Sequence, residues 1–77
     1  MSVAFVLIRV LPGKEHEIYD KVSKLKYVTE VHPLLGEYDL ILKIDTDEMT
    51  EIGKMVIQDI RSINGVVETK TLAEIKL

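Results

Sequence analysis

Leu34-Leu35-Gly36-Glu37-Tyr38-Asp39-Leu40-Ile41-Leu42 is the stretch on which the fold turns. Ahead of its glycine, Val28 to Leu35 reads as an extended apolar segment. Behind it, Tyr38, Leu40, Leu42 and Ile44 alternate with Asp39, Lys43 and Asp45. A period of two specifies a strand with one buried face. Gly36-Glu37 separates the two runs, and glycine at the first central position of a two-residue loop suits a type II′ turn, where φ must be positive. The stretch is predicted to be a hairpin. Asp39 adds a second meaning. It is an acid beside a corner that lacks a side chain, where a small ligand meets both a carboxylate and free main-chain groups.

Toward the N-terminus, Val3 to Val10 is nearly continuous hydrophobe and rich in β-branched residues. A strand apolar on both faces is covered on both faces. It belongs at the centre of a sheet, with helices on one side and a second subunit as the economical cover for the other. Pro12-Gly13 ends it. Lys14 to Leu25 then reads as a helix, with Ile18, Val22 and Leu25 on one stripe. Glu17 with Lys21, and Asp20 with Lys24, are favourable i,i+4 pairs that mark the wet face. His16 reads as a solvated histidine. The second strand runs from Tyr27 to Leu35. Pro33 cannot donate to a ladder, so that strand is at an edge or bulged there. His32 is then either an exposed edge residue or one lining a pocket or interface.

Toward the C-terminus, Asp45-Thr46-Asp47-Glu48 offers N-caps and first-turn acids. Met49, Ile52, Val56, Ile60 and Ile63 follow at helical spacing, with Met55 and Ile57 widening the apolar face. Gly53 within this helix implies close packing on the sheet. Asn64-Gly65 reads as the helix stop. Val66 to Leu77 is the last strand, with Val67, Thr69 and Thr71 on one face and Val66, Glu68 and Lys70 on the other. Thr69 and Thr71 are either plain strand formers or the lining of a polar cleft.

The order β-α-β-β-α-β is an α+β, ferredoxin-like sandwich: a four-stranded antiparallel sheet with two helices on one face. Strand order 4-1-3-2 puts the two most apolar strands in the middle. Residues 1–77 form a single domain without repeats or linkers.

Composition narrows the function. A 77-residue domain buries too little surface to be robust alone, and with no cysteine and two histidines neither disulfides nor a structural metal can staple it. Oligomerisation is the remaining device. A net charge of -3 argues against a phosphate-binding surface. No run is long and apolar enough to span a membrane. Met1-Ser2-Val3 has no basic stretch before it, so no signal peptide is expected, and a cytoplasmic location is. No nucleophile–base arrangement or phosphate-cradling glycine pattern is present. No catalytic residue, metal or cofactor is therefore expected.

With these residues in view, the chain resembles a stand-alone version of the effector domain of the leucine-responsive/asparagine regulators (the Lrp/AsnC family), known as the RAM domain. The resemblance rests on Gly36-Glu37-Tyr38-Asp39-Leu40, on Ile63-Asn64-Gly65-Val66-Val67, and on Thr69-Lys70-Thr71. Family members usually carry an N-terminal helix-turn-helix domain, which this sequence lacks, so no direct nucleic-acid binding is expected of it. The resemblance implies dimers that pair their sheets and assemble into octamers or decamers, with a free amino acid bound between dimers. It implies a ligand site at Gly36, Glu37, Asp39, Thr69 and Thr71, with Asp39 on the ligand's ammonium group. Tyr38 and His32 are assigned to packing or the interface. The function implied is non-enzymatic effector binding, modulating transcription through full-length regulators of the same family. Two other readings compete: a small dimeric ferredoxin-like enzyme of monooxygenase-like or isomerase type, with His32 or Tyr38 at work, and a purely structural oligomerisation module.

Overall fold

The computed structural model describes residues 2–77. Met1, at the head of the predicted leader-free start, lies outside the described residues. Strand β1 (Ser2–Val10) leads to helix α1 (Glu15–Val22), then to strands β2 (Val28–Pro33) and β3 (Leu40–Thr46). Helix α2 (Met49–Lys54) continues as a π-helical segment, Met55–Ile60, and strand β4 (Val66–Ala73) closes the order. The sheet is antiparallel throughout, in the order β2-β3-β1-β4. This is the predicted ferredoxin-like arrangement, with the two most apolar strands inside.

Alternation in β1 and β3 builds the core. Ala4, Val6, Ile8 and Val10 are buried on one face of β1, and Leu40, Leu42 and Ile44 on the same face of β3. Ile18 and Val22 of α1 pack there with Ile52, Met55, Val56 and Ile60 of the second helix. Both helices therefore cover one side of the sheet. On the opposite side, Phe5 stands between Lys43 and Leu72 in the ladder, and Leu7 between Ile41 and Lys70. Phe5, Leu7 and Ile41 are half-buried there, and Leu72 is exposed.

Several expected boundaries move, each for a local reason. Helix α1 stops at Val22, before Leu25. The Lys24 and Leu25 amides fold back onto the carbonyls of Lys21 and Val22, and Tyr27 at φ 76 then reverses the chain. Lys24 thus lies past the helix, and of the two expected i,i+4 pairs only Glu17–Lys21 forms among the described residues, at 3.6 Å. The edge position of β2 accommodates Pro33, while its bulge falls between Val28 and Glu30. In the second helix, the Arg61 amide donates to the Val56 carbonyl, one residue further back than in an α-helix. The widened turn buries Met55, Val56 and Ile60 together and leaves Ile57 exposed; Met49, at the start of α2, is exposed as well, both against the predicted stripe.

The glycines trade roles. Gly53 is exposed, and a Cβ there would meet open space, so it is not a close-packing residue. Gly65 is. The helix has already ended at Ile60, and Gly65 turns the chain into β4 at φ +103. A Cβ at Gly65 would lie 3.1 Å from both Ile18 Cδ1 and Lys14 Cγ. Strand β4 ends at Ala73 instead of Leu77, opposite Ala4 near the start of β1. A register shift at Arg9/Val10 puts Val66 opposite Val10 against the core, so Val66 shares the face of Thr69 and Thr71 and Val67 is exposed.

Candidate functional site

The hairpin is wider than a two-residue turn. The Leu34 amide donates to the Asp39 carbonyl at 2.8 Å, and residues 35–38 arch between them. Gly36 takes φ +144 at the crest, a conformation L side chains rarely adopt. Beside it Leu35 is fully exposed. Strand β3 accordingly starts at Leu40, not at Tyr38.

Asp39 ends the arch, and its local geometry explains why. Its amide donates to the Ile8 carbonyl at 2.9 Å, and its Oδ2 accepts from the Val10 amide at 2.8 Å. The carboxylate thus stands in for a backbone acceptor where β1 and β3 part. Its other oxygen, Oδ1, has no hydrogen-bond partner among the described residues. Arg9, the residue between Ile8 and Val10, reaches in the opposite sense. Its Nε donates to the Glu37 carbonyl at 3.2 Å, and its guanidinium lies 3.7 Å from the Glu37 carboxylate and 3.3 Å from that of Glu68. The same group sits 5.5 Å above the Tyr38 ring. The loop is therefore held at two points, one by a side chain of β1 and one by a side chain of its own.

Gly36, Glu37, Tyr38 and Asp39 are brought together at this corner. Tyr38 is half-buried, with the Arg9 guanidinium over its ring. Thr69 lies across β1, opposite Ile8, and so flanks the residue to which Asp39 donates. Two strand spacings separate Thr69 from Asp39, about 10 Å. Thr71 is opposite Val6, further from the corner, and exposed. Within one chain the threonines and Asp39 do not touch. Thr69 instead lines a cleft of about 370 Å³ with Arg61, Val66, Val67 and Glu68. A second cleft of about 370 Å³, largely apolar, lies at the hairpin base between Pro33, Leu40, Tyr19, Gly13 and the exposed His16.

His32 lies away from both, exposed on the edge strand opposite Ile41. Its Nε2 is 2.9 Å from Glu30 Oε1, and Lys43 Nζ is 3.5 Å from Glu30 Oε2. The hydrogen bond to His32, and then the Lys43 charge, hold the Glu30 carboxyl below its ordinary value. Among the described residues no cluster of three or more His, Cys, Asp or Glu side chains is arranged to hold a metal, and no helix is long and apolar enough to cross a membrane.

Arg9 is the residue that reading the sequence passed over. The signal was present: it is the lone charge in Val3–Val10. A cation in a strand otherwise apolar on both faces needs partners, and here they come from the loop and from β4.

The curated relatives that the chain matches are named as HTH-type transcriptional regulators. An uncharacterised HTH-type transcriptional regulator of Pyrococcus furiosus is 39% identical over an alignment of 74 residues that covers 92% of this chain and 49% of that protein. The chain spans about half the length of the curated relatives it matches. The crystal structure of TTHA0845 from Thermus thermophilus superposes with a TM-score of 0.94 at 32% identity, covering all of this chain and 96% of that one. A Neisseria meningitidis transcriptional regulator, solved as a complex with L-Met, shares the fold at a TM-score of 0.85 and 22% identity, over 97% of this chain and 50% of that one. The matched family and the curated relatives are of transcriptional regulators, not enzymes, which removes the monooxygenase-like and isomerase readings. Residues 3–76 match the Lrp/AsnC ligand binding domain, so this chain, with its corner at Gly36–Asp39 and its sheet order β2-β3-β1-β4, belongs to that family.

Proposed function

We propose that this domain binds a free α-amino acid at the Gly36–Asp39 corner. The observation that carries the reading is the division of labour within one carboxylate. Oδ2 of Asp39 is spent on the Val10 amide, which fixes the group in place, and Oδ1 is left for a ligand. An amino acid needs an anion for its ammonium and N–H donors for its carboxylate. Asp39 supplies the first. The main chain around Gly36, where no side chain blocks approach, supplies the second. Glu37 is the rim. Thr69 and Thr71 join the site from a neighbouring subunit, since one chain keeps them about two strand spacings away. That a regulator sharing this fold was solved in complex with L-Met supports the class of ligand.

Assembly follows from the outer sheet face. Phe5, Leu7, Ile41 and Leu72 are contiguous across three strands, and a second sheet covers them in a dimer. Dimers assemble further into octamers or decamers with the ligand between them. The effector signal then passes to transcription through full-length regulators of the family, in the cytoplasm, without contact between this domain and nucleic acid.

The test is calorimetric titration with a panel of amino acids, on the wild type and on Asp39→Asn. Asparagine keeps an acceptor for the Val10 amide and removes the charge, whereas alanine would also release β1. Loss of a buried charged partner costs about 2–5 kcal/mol, so Asp39→Asn should weaken binding by about thirtyfold or more. Unchanged affinity would place the ammonium elsewhere. No binding by the wild type at millimolar amino acid would favour the purely structural module.

A further inference from the structure

We infer that Arg9 is a positioning residue that ties the hairpin loop to β4, so that the loop proposed to face the ligand is held rigid against the sheet. This rests on the reading of the Gly36–Asp39 corner as the ligand site, and it adds the device that holds the site in shape. Three elements meet at the guanidinium. It projects from β1, donates to the loop backbone at Glu37, and faces the carboxylates of Glu37 on the loop and Glu68 on β4. Glu68 adjoins Thr69, and both line the same cleft. Tyr38 closes the arrangement from one side with its ring.

A single exposed ion pair would carry little weight, because water and salt screen it. This group differs in having several partners at once. A planar fork can donate along Nε to a carbonyl while its terminal nitrogens face carboxylates and its plane lies over an aromatic ring. A lysine ammonium lacks that geometry. The contact is also placed where the ladder is weakest. The β1–β4 register shifts at Arg9/Val10, and β3 does not begin until Leu40. Without Arg9, the Val10–Asp39, Asp39–Ile8 and Leu34–Asp39 bonds would hold the arch, all of them at its foot. Gly36 at φ +144 would then be free to sample its many other conformations.

The test uses the whole chain with Arg9→Met, which keeps an unbranched apolar stem, and Arg9→Lys, which keeps the charge. Amide hydrogen exchange of the free protein is read at Leu34 and Asp39, the hydrogen-bonded amides that close the loop, with Leu42 and Ile44 as internal references, and the amino-acid panel is titrated calorimetrically. Arg9→Met should speed loop exchange and weaken binding of the amino acid the wild type takes, each by about tenfold, with Leu42 and Ile44 unmoved. Arg9→Lys should recover only part of both. A merely structural role would raise exchange across the whole sheet, and that result overturns the inference. So does loop exchange equal to wild type, or unchanged affinity with a loosened loop. If the wild type binds no amino acid, the ligand reading fails, and the exchange measurement still decides whether Arg9 clamps the loop.

Discussion

The two faces of β1 carry the same kind of residue to different ends. Toward the helices, Ala4, Val6 and Ile8 are completely buried and Val10 nearly so. Away from them, Val3, Phe5 and Leu7 are half-buried beside Lys43, Lys70 and Leu72, and the row ends in Arg9. The first face closes the domain on itself. The second leaves apolar area that one chain does not cover, and it ends at the corner where the ligand is proposed to bind. The lesson is that alternation with a period of two tells which residues share a face, but not whether the cover is a helix of the same chain or another subunit.

Substitution at paired positions separates the two faces. Leu42→Ala, at a fully buried position beside Val6, should lower unfolding free energy by about 2–5 kcal/mol, measured by denaturant titration. It should leave the mass in solution unchanged. Phe5→Asp, on the opposite face, should do the reverse in light scattering, shifting the assembly to monomer while far-ultraviolet circular dichroism keeps its α+β shape. If Phe5→Asp remains a dimer, the outer face is not the interface. If Leu42→Ala dissociates the assembly without loss of stability, the division between faces fails.

Glycine gives a smaller contrast. Gly65→Ala forces a Cβ against α1 at positive φ and should cost about 1–3 kcal/mol. Gly53→Ala enters open space on a helix and should stabilise by up to about 1 kcal/mol. Thermal midpoints moving in the same direction for both would contradict these assignments.

Much of this was legible in advance. The element order, the inner position of β1 and β3 and the edge position of β2 follow from the apolar alternation and from Pro33. The hairpin was legible only in outline. Gly36 announces a positive φ, but the width of the loop is set by Asp39 bonding Val10, a partner 29 residues away that no local window contains. The second helix was over-read for a similar reason. A spacing of 3.6 was projected through Met49 and Ile57, whereas the turn opens to π-helical width at Met55 and redistributes the buried side chains. Asn64-Gly65 could be read as a stop and Gly53 as a helical position, but which of the two glycines is close-packed is decided by tertiary contact alone. At the candidate site, Gly36, Glu37 and Asp39 could be picked out as neighbours in sequence. The role of Arg9 needed the fold, because its partners Glu37, Tyr38 and Glu68 lie 28 or more residues along the chain.

The smallest expected effect is a pH dependence at the sheet edge. Glu30 is held below its ordinary value of 4.5 by His32 and then Lys43. A carboxyl with a depressed folded value adds stability above its unfolded value and loses it as pH falls through the folded one. Glu30→Gln should therefore lower stability slightly near neutrality and converge with the wild type at acid pH, which flattens the acid decline, as read by thermal midpoints across that range. An unaltered acid limb would show that the trio contributes nothing.

The most direct test of the ligand site is an amide chemical-shift titration of the wild-type protein with the amino acid that binds it. The largest perturbations should fall on Gly36, Glu37, Tyr38 and Asp39 and on the Val10 amide that Asp39 holds. Perturbations centred instead on the apolar cleft of Gly13, Tyr19 and Leu40, with residues 36–39 unmoved, would contradict the assignment.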